Sequence, residues 1–170
     1  MNVYMTFGTQ NFLQTIYNKH KAKKEIYLLQ GSDSAALLLE TDKKNIFHSG
    51  RKYEIIEAAG NYEGARFVVI DNIPVEEEQR DVFELRFKNR GEFLKQEPGC
   101  YGLRFLRPLD TNTYAVVTLW ESDSYFRRWQ QSDGYKDIYK HREKATGMPI
   151  SIFSGDPYIR YYFIYKEDEE

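Results

Sequence analysis

Four apolar runs from residue 67 onward constrain this chain more than anything else in it: FVVID at 67–71, YGLRFLR at 101–107, YAVVTLW at 114–120 and YIRYYFIY at 158–165. Each has strand length and is rich in β-branched or aromatic residues. Between the first and second lie Glu76–Glu77–Glu78, acids that suit the positive end of a helix dipole. A helix is therefore predicted from about 76 to 89, with Val82, Phe83 and Phe87 on one face. After the third run, Ser122 or Asp123 caps a helix carrying Phe126 and Trp129 one turn apart. Ser132–Asp133–Gly134 breaks it, and a second helix is predicted to about Ala145. Turns fall at Glu97–Pro98–Gly99 and Asp110–Thr111–Asn112, and 146–157, with Gly147, Pro149, Gly155 and Pro157, is a long connection. The order strand–helix–strand–strand–helix–strand is that of a ferredoxin-like α+β sandwich.

The first sixty residues read as a smaller mixed α/β unit. NVYMTF at 2–7 is a strand, and Gly8–Thr9 open a helix with Phe12, Leu13 and Ile16 at helical spacing. IYLLQ at 26–30 and AALLLET at 35–41 are strands around the turn Gly31–Ser34. Tyr53 to Ala59 reads as a short helix ending near Gly60. The expected organisation is an N-terminal α/β lobe over 1–63, packed on a ferredoxin-like domain over 64–166, with an acidic tail at 167–170.

Composition excludes several function classes. With 24 Lys+Arg against 26 Asp+Glu the net charge is −2, which lacks the basic excess of a nucleic-acid binder. The one cysteine, Cys100, excludes a disulfide framework or a multi-thiolate metal site within the chain. No apolar run approaches the roughly 18 residues that cross a bilayer, and MNVYMTFGTQNF is not a secretory signal, so no membrane partner and a cytoplasmic location are expected. His20, His48 and His141 have no metal-binding spacing, and no glycine-rich phosphate loop or Ser/His/Asp motif is present. The informative number is the aromatic share of 16%, which implies a core filled by rings or a pocket lined by them.

Those rings concentrate at 114–142, and here the residues resemble a family. RFKNR at 86–90, EPG at 97–99, LRPLD at 106–110, TLWES at 118–122 and WQQSDGYK at 129–136 make 66–166 resemble the antibiotic-biosynthesis-monooxygenase (ABM) fold of IsdG-type haem-degrading monooxygenases. The whole chain resembles the longer HmoB- and TRAP-like members of that superfamily. The resemblance implies a dimeric α+β-barrel type of architecture and an Asn–Trp–His site. Asn72 matches the asparagine beside the iron's ligand-binding side, and Trp129 matches the tryptophan that pushes the macrocycle out of plane. The iron-ligating histidine falls at Tyr139, with His141 two residues on, so the metal ligand is Tyr139 or His141.

On this reading haem is both cofactor and substrate, with O2 as oxidant and an external electron donor. Phe67, Val69, Trp129, Tyr135 and Ile138 form the apolar wall, and Arg86, Lys88 and Arg142 meet the propionates. A tyrosine ligand would favour ferric haem and lower its reduction potential. Two alternatives stay open: a non-enzymatic TRAP-like signalling or stress protein, and a cofactor-free ABM monooxygenase. A monomer is favoured over a homodimer, because the N-terminal lobe can occupy the place of a second subunit.

Overall fold

Strand alternation builds the molecule. In the computed structural model, which describes residues 1–88, 94, 96–133, 135 and 153–167, nearly every apolar run becomes a strand with two buried faces. Among these residues the chain runs β1 (Asn2–Gly8), α1 (Gln10–His20), β2 (Ile26–Gln30), β3 (Ala35–Thr41) and β4 (Arg51–Gly60). It continues with β5 (Phe67–Pro74), a 3-10 turn at Glu77–Gln79 leading into α2 (Arg80–Phe87), β6 (Cys100–Pro108), β7 (Thr113–Trp120), α3 (Asp123–Gln130) and β8 (Tyr158–Ile164). The helix expected after Gly134 lies outside the described residues.

The ferredoxin-like α+β arrangement is present, closed into a barrel of order β1-β3-β2-β8-β5-β7-β6-β4. Read from β4, the first half contributes β4-β1-β3-β2 and the second β8-β5-β7-β6. Numbered within each half, both are 4-1-3-2, so the chain holds two copies of one strand order. The halves are stitched where β2 meets β8 and where β4 meets β6. In the first half the segment between β3 and β4 carries no helix, and Ile46 and Phe47 pack there against the α1 layer.

The segment 53–59, expected as a helix, is the middle of β4. Its Glu and Ala residues favour a helix by local propensity, but that preference is weak against pairing on two sides. β4 bonds β1 from Met5↔Arg51 to Asn2↔Glu54, and β6 from Tyr53↔Pro108 to Gly60↔Gly102. A bulge between Ile55 and Glu57 absorbs the mismatch. At its end Gly60 has φ +64°, and a Cβ there would sit 1.9 Å from the Tyr101 carbonyl oxygen, so the close approach of β4 and β6 requires glycine.

Three apolar layers follow. Inward-facing Val3, Met5, Leu38, Tyr53, Val68, Ile70, Leu106, Val117 and Leu119 fill the barrel. Outside the second half, Phe67, Val69, Ile73, Phe105, Tyr114 and Trp120 pack against α2 and α3. Outside the first half, Leu13 of α1 packs on Leu28, Leu37 and Leu39. In α2 the buried pair is Phe83 and Phe87, at i and i+4, while Val82 points outward.

Candidate functional site

The outer face of the second half is an almost continuous sheet of rings. Phe126 and Trp129 of α3 are the buried residues of a short helix that begins after Ser122, whose extended backbone marks the N-cap; its hydroxyl makes no capping bond. Trp129 lies 5.3 Å from Trp120 and 6.1 Å from Phe126 between ring centroids, and Tyr135 meets it edge-on at 5.0 Å. Phe126 in turn contacts Phe67 at 6.0 Å and Tyr161 at 5.8 Å, and Phe67 contacts Phe163 at 5.1 Å. The indole N–H of Trp120 donates to the Thr118 hydroxyl at 2.9 Å, so this ring is tied to its own strand.

The face has a closed end and an open end. Trp129, Phe67 and Val69 are each 2% exposed, whereas Tyr161 and Phe163 of β8 are 42% and 51% exposed. A groove of about 890 Å³ runs along the open end, lined by Phe67, Tyr161, Phe163, Ile159, Arg127 and the turn Gly31–Ser34. Among the described residues Arg127 has a loose ion-pair partner, Asp123 at 3.9 Å one helical turn back, and its side chain stays largely solvated.

The structure gathers Phe67, Val69, Trp129 and Tyr135 as the sequence suggested, and does not bring Asn72 to them. Positions 67, 69, 71 and 73 of β5 face the helices, and 68, 70 and 72 face the barrel interior. Asn72 is 6% exposed on the inner side, where its amide donates to the Ile70 carbonyl at 3.4 Å. The residue that β5 presents beside the ring face is Asp71, fully buried. Tyr139, His141 and Ile138, and with them the expected iron ligand, lie outside the described residues.

Among the described residues the face is a wall of rings that includes the phenols of Tyr135 and Tyr161. No group of three or more His, Cys, Asp or Glu among the described residues could hold a metal, and His20 and His48 sit at the end of α1 and between β3 and β4. The closed end is filled by its own side chains, and the groove runs along the open end beside Tyr161 and Phe163. No helix is long and apolar enough to cross a membrane among the described residues.

Two charged clusters fix the frame around this face. Glu84 of α2 accepts from Arg107 Nε at 2.9 Å and from the Tyr114 hydroxyl, while Arg107 Nη1 donates to Glu54 at 2.6 Å. These bonds hold the Glu84 carboxyl below its usual range, against burial that pushes it up. The other is inside the barrel. Arg104 of β6 donates to Glu40 of β3 at 2.9 Å and to the Ala59 and Gly60 carbonyls at 2.8 and 3.1 Å, while the Tyr62 hydroxyl donates to Glu40 at 3.0 Å. Tyr27 stacks on Tyr62 at 4.2 Å, and burial pushes the Tyr62 phenol well above its usual range.

Sequence reasoning passed over Asp71, Arg51 and Arg160. For Asp71 the signal was parity, since 67, 69 and 71 share a face of any strand.

Comparison with known proteins agrees with this architecture. Residues 66–141 match the family described as Antibiotic biosynthesis monooxygenase. A Heme-degrading monooxygenase of Listeria monocytogenes is 22% identical over 136 residues, covering 80% of this chain and 81% of that one. Signal transduction protein TRAP of Staphylococcus aureus is 24% identical over 170 residues, covering 97% and 98%. A solved structure described as a major regulator of staphylococcal pathogenesis superposes with a TM-score of 0.85 at 23% identity, covering 98% of this chain and all of that one.

Proposed function

We propose that this ABM-domain protein is a haem-binding monooxygenase that seats the macrocycle on the outer ring face of β5 and β8 beside α3 and degrades it. One observation carries the reading: a ring surface grading from Trp129 at 2% exposure to Phe163 at 51%, flanked by a groove of about 890 Å³. That surface suits a flat apolar molecule, and Arg127 at its rim suits a carboxylate of the ligand. The haem-degrading relative supports it.

Bound haem, with an external electron donor and dioxygen, would supply the oxidative chemistry. The chain contributes the rest. Phe67, Tyr161 and Phe163 would exclude water from one face of the ligand, and Arg127 would set its orientation. Trp129 would limit how deep the ring can sit, and Tyr139 or His141 would hold the iron. Asn72, on the far side of β5, takes no part.

The test is a hemin titration of the purified chain. The reading expects saturable one-to-one binding with a shifted Soret band, bleaching of that band by ascorbate in air, and release of chelatable iron. Tyr139→Phe and His141→Ala spectra identify the ligand. A band that binds and persists means carriage without turnover, and a featureless titration refutes the reading.

A second reading rests on the same coordinates. The closed packing of Trp129 and the inward direction of Asn72 suit a non-enzymatic regulator in which the rings are core, as the TRAP relative suggests. The featureless titration is its expected result.

A further inference from the structure

The inside of the barrel opens at one end into a cavity of about 280 Å³, lined by Met5, Phe7, Arg51, Ile70, Asn72, Tyr158 and Arg160, with Ser34 and Tyr162 at its edges. Its β5 residues Ile70 and Asn72 are on the opposite side of that strand from the ring face, and it meets the outer groove at Ser34, Arg160 and Tyr162, which line both.

Its two cations are equivalent by the internal repeat. Arg51 pairs with Met5 and Tyr53 with Val3, as Arg160 pairs with Ile70 and Tyr162 with Val68. Every neighbouring pair in the barrel is antiparallel, so β4 and β8, four places apart, run the same way. Each half therefore delivers one Arg-x-Tyr to the same end of the barrel, from opposite walls.

Among the described residues nothing acidic lines the cavity. Arg51 Nη2 donates to the Tyr158 hydroxyl at 2.9 Å and the guanidinium also hydrogen-bonds with Tyr53, while the buried Nη1 atom has no hydrogen-bond partner among the described residues. Burial pushes the Tyr53 phenol up to about 12 even though the Arg51 charge beside it pulls the other way; Asp110 is the acid whose field reaches that phenol. Arg160 lies over the Tyr158 ring at 5.0 Å, and neither arginine forms an ion pair with a described residue. Two guanidinium groups turned into one cavity repel each other unless an anion lies between them. Guanidinium forks, a phenol and a primary amide are donors suited to an oxyanion, and Met5, Phe7 and Ile70 supply an apolar floor.

We propose that this mouth of the barrel is a second binding site, which takes a small organic oxyanion with its charged end held by Arg51, Arg160, Tyr158 and Asn72 and its apolar part on Met5, Phe7 and Ile70. Carboxylate and phosphate ester share this chemistry, and the test separates them.

The full chain is titrated calorimetrically in chloride buffer with sodium benzoate, with phenyl phosphate and with neutral benzamide. The methyl signals of Met5 and Ile70 are followed in parallel by NMR. The expected result is saturable binding of benzoate, phenyl phosphate or both, with shifts at Met5 and Ile70, and at least tenfold weaker binding of benzamide. Which anion binds tighter assigns the headgroup. Arg160→Gln, an exposed change that leaves the strand intact, weakens the preferred anion at least tenfold, as does Arg51→Gln if that variant folds. Silence from both anions overturns the proposal. So do equal binding of benzamide, shifts at Val69 and Ile159 instead of the inner methyls, and an Arg160→Gln variant that binds as the wild type does.

Discussion

Removing the Glu40 carboxylate tests whether the two halves are one structure. Arg104 comes from the second half and Glu40 from the first, and their side chains are 6% and 9% exposed. The guanidinium is satisfied by Glu40 and by the Ala59, Leu103 and Gly60 carbonyls, and packs over Tyr62 at 5.2 Å. Glu40→Ala leaves that charge buried without a counterion, which costs about 3–5 kcal/mol. For a chain of this size that lowers Tm by about 6–20 °C. In Glu40→Ala/Arg104→Met the stranded charge is gone, so the double variant costs no more than either single one. Urea unfolding followed by Trp120 and Trp129 fluorescence and by far-UV circular dichroism reads these losses, with the two probes coincident in the wild type. A single-variant loss under about 1 kcal/mol, as for an exposed pair, or strict additivity in the double, refutes the argument. Separate transitions for the two probes refute the single barrel.

The outer layer makes its own predictions. Trp129→Ala empties the centre of the ring cluster and costs about 3–5 kcal/mol by the same unfolding assay, with Trp129→Phe well below that. Glu84 is held ionised below its usual range mainly by the Arg107 hydrogen bonds, against opposing burial. A depressed folded pKa gives stability that is present above the ordinary carboxylate range and lost as pH falls through the depressed value. Wild type therefore loses stability in acid more steeply than Glu84→Gln, and parallel acid titrations of the two would contradict this.

The second half was legible because its periodicities are plain. FVVID and YAVVTLW run together in the barrel wall, with Phe67 opposite Trp120, and the F-x-x-W of α3 packs where helical spacing sends it. β4 was not legible, because nothing local in YEIIEAA shows that both its edges will be occupied. It becomes a strand only once β1 and β6 are in place to hydrogen-bond it. The repeat was hidden for a related reason. The first half lacks a second helix, and the duplication survives in strand order and in short echoes such as Arg51-x-Tyr53 and Arg160-x-Tyr162. Asn72 differs in parity from Phe67 and Val69, and even and odd positions of one strand face opposite sides.

The central claim is that haem lies against the helix-facing side of β5. Methyl-labelled protein titrated with ferric hemin tests it through paramagnetic broadening. Neighbours on one strand serve as the ruler: Val69 faces outward and Val68 and Ile70 inward. The account predicts that Val69 and Ile159 broaden first while Val68 and Ile70 stay sharp. Broadening that begins at Val68 and Ile70, or spectra untouched by hemin, would contradict it.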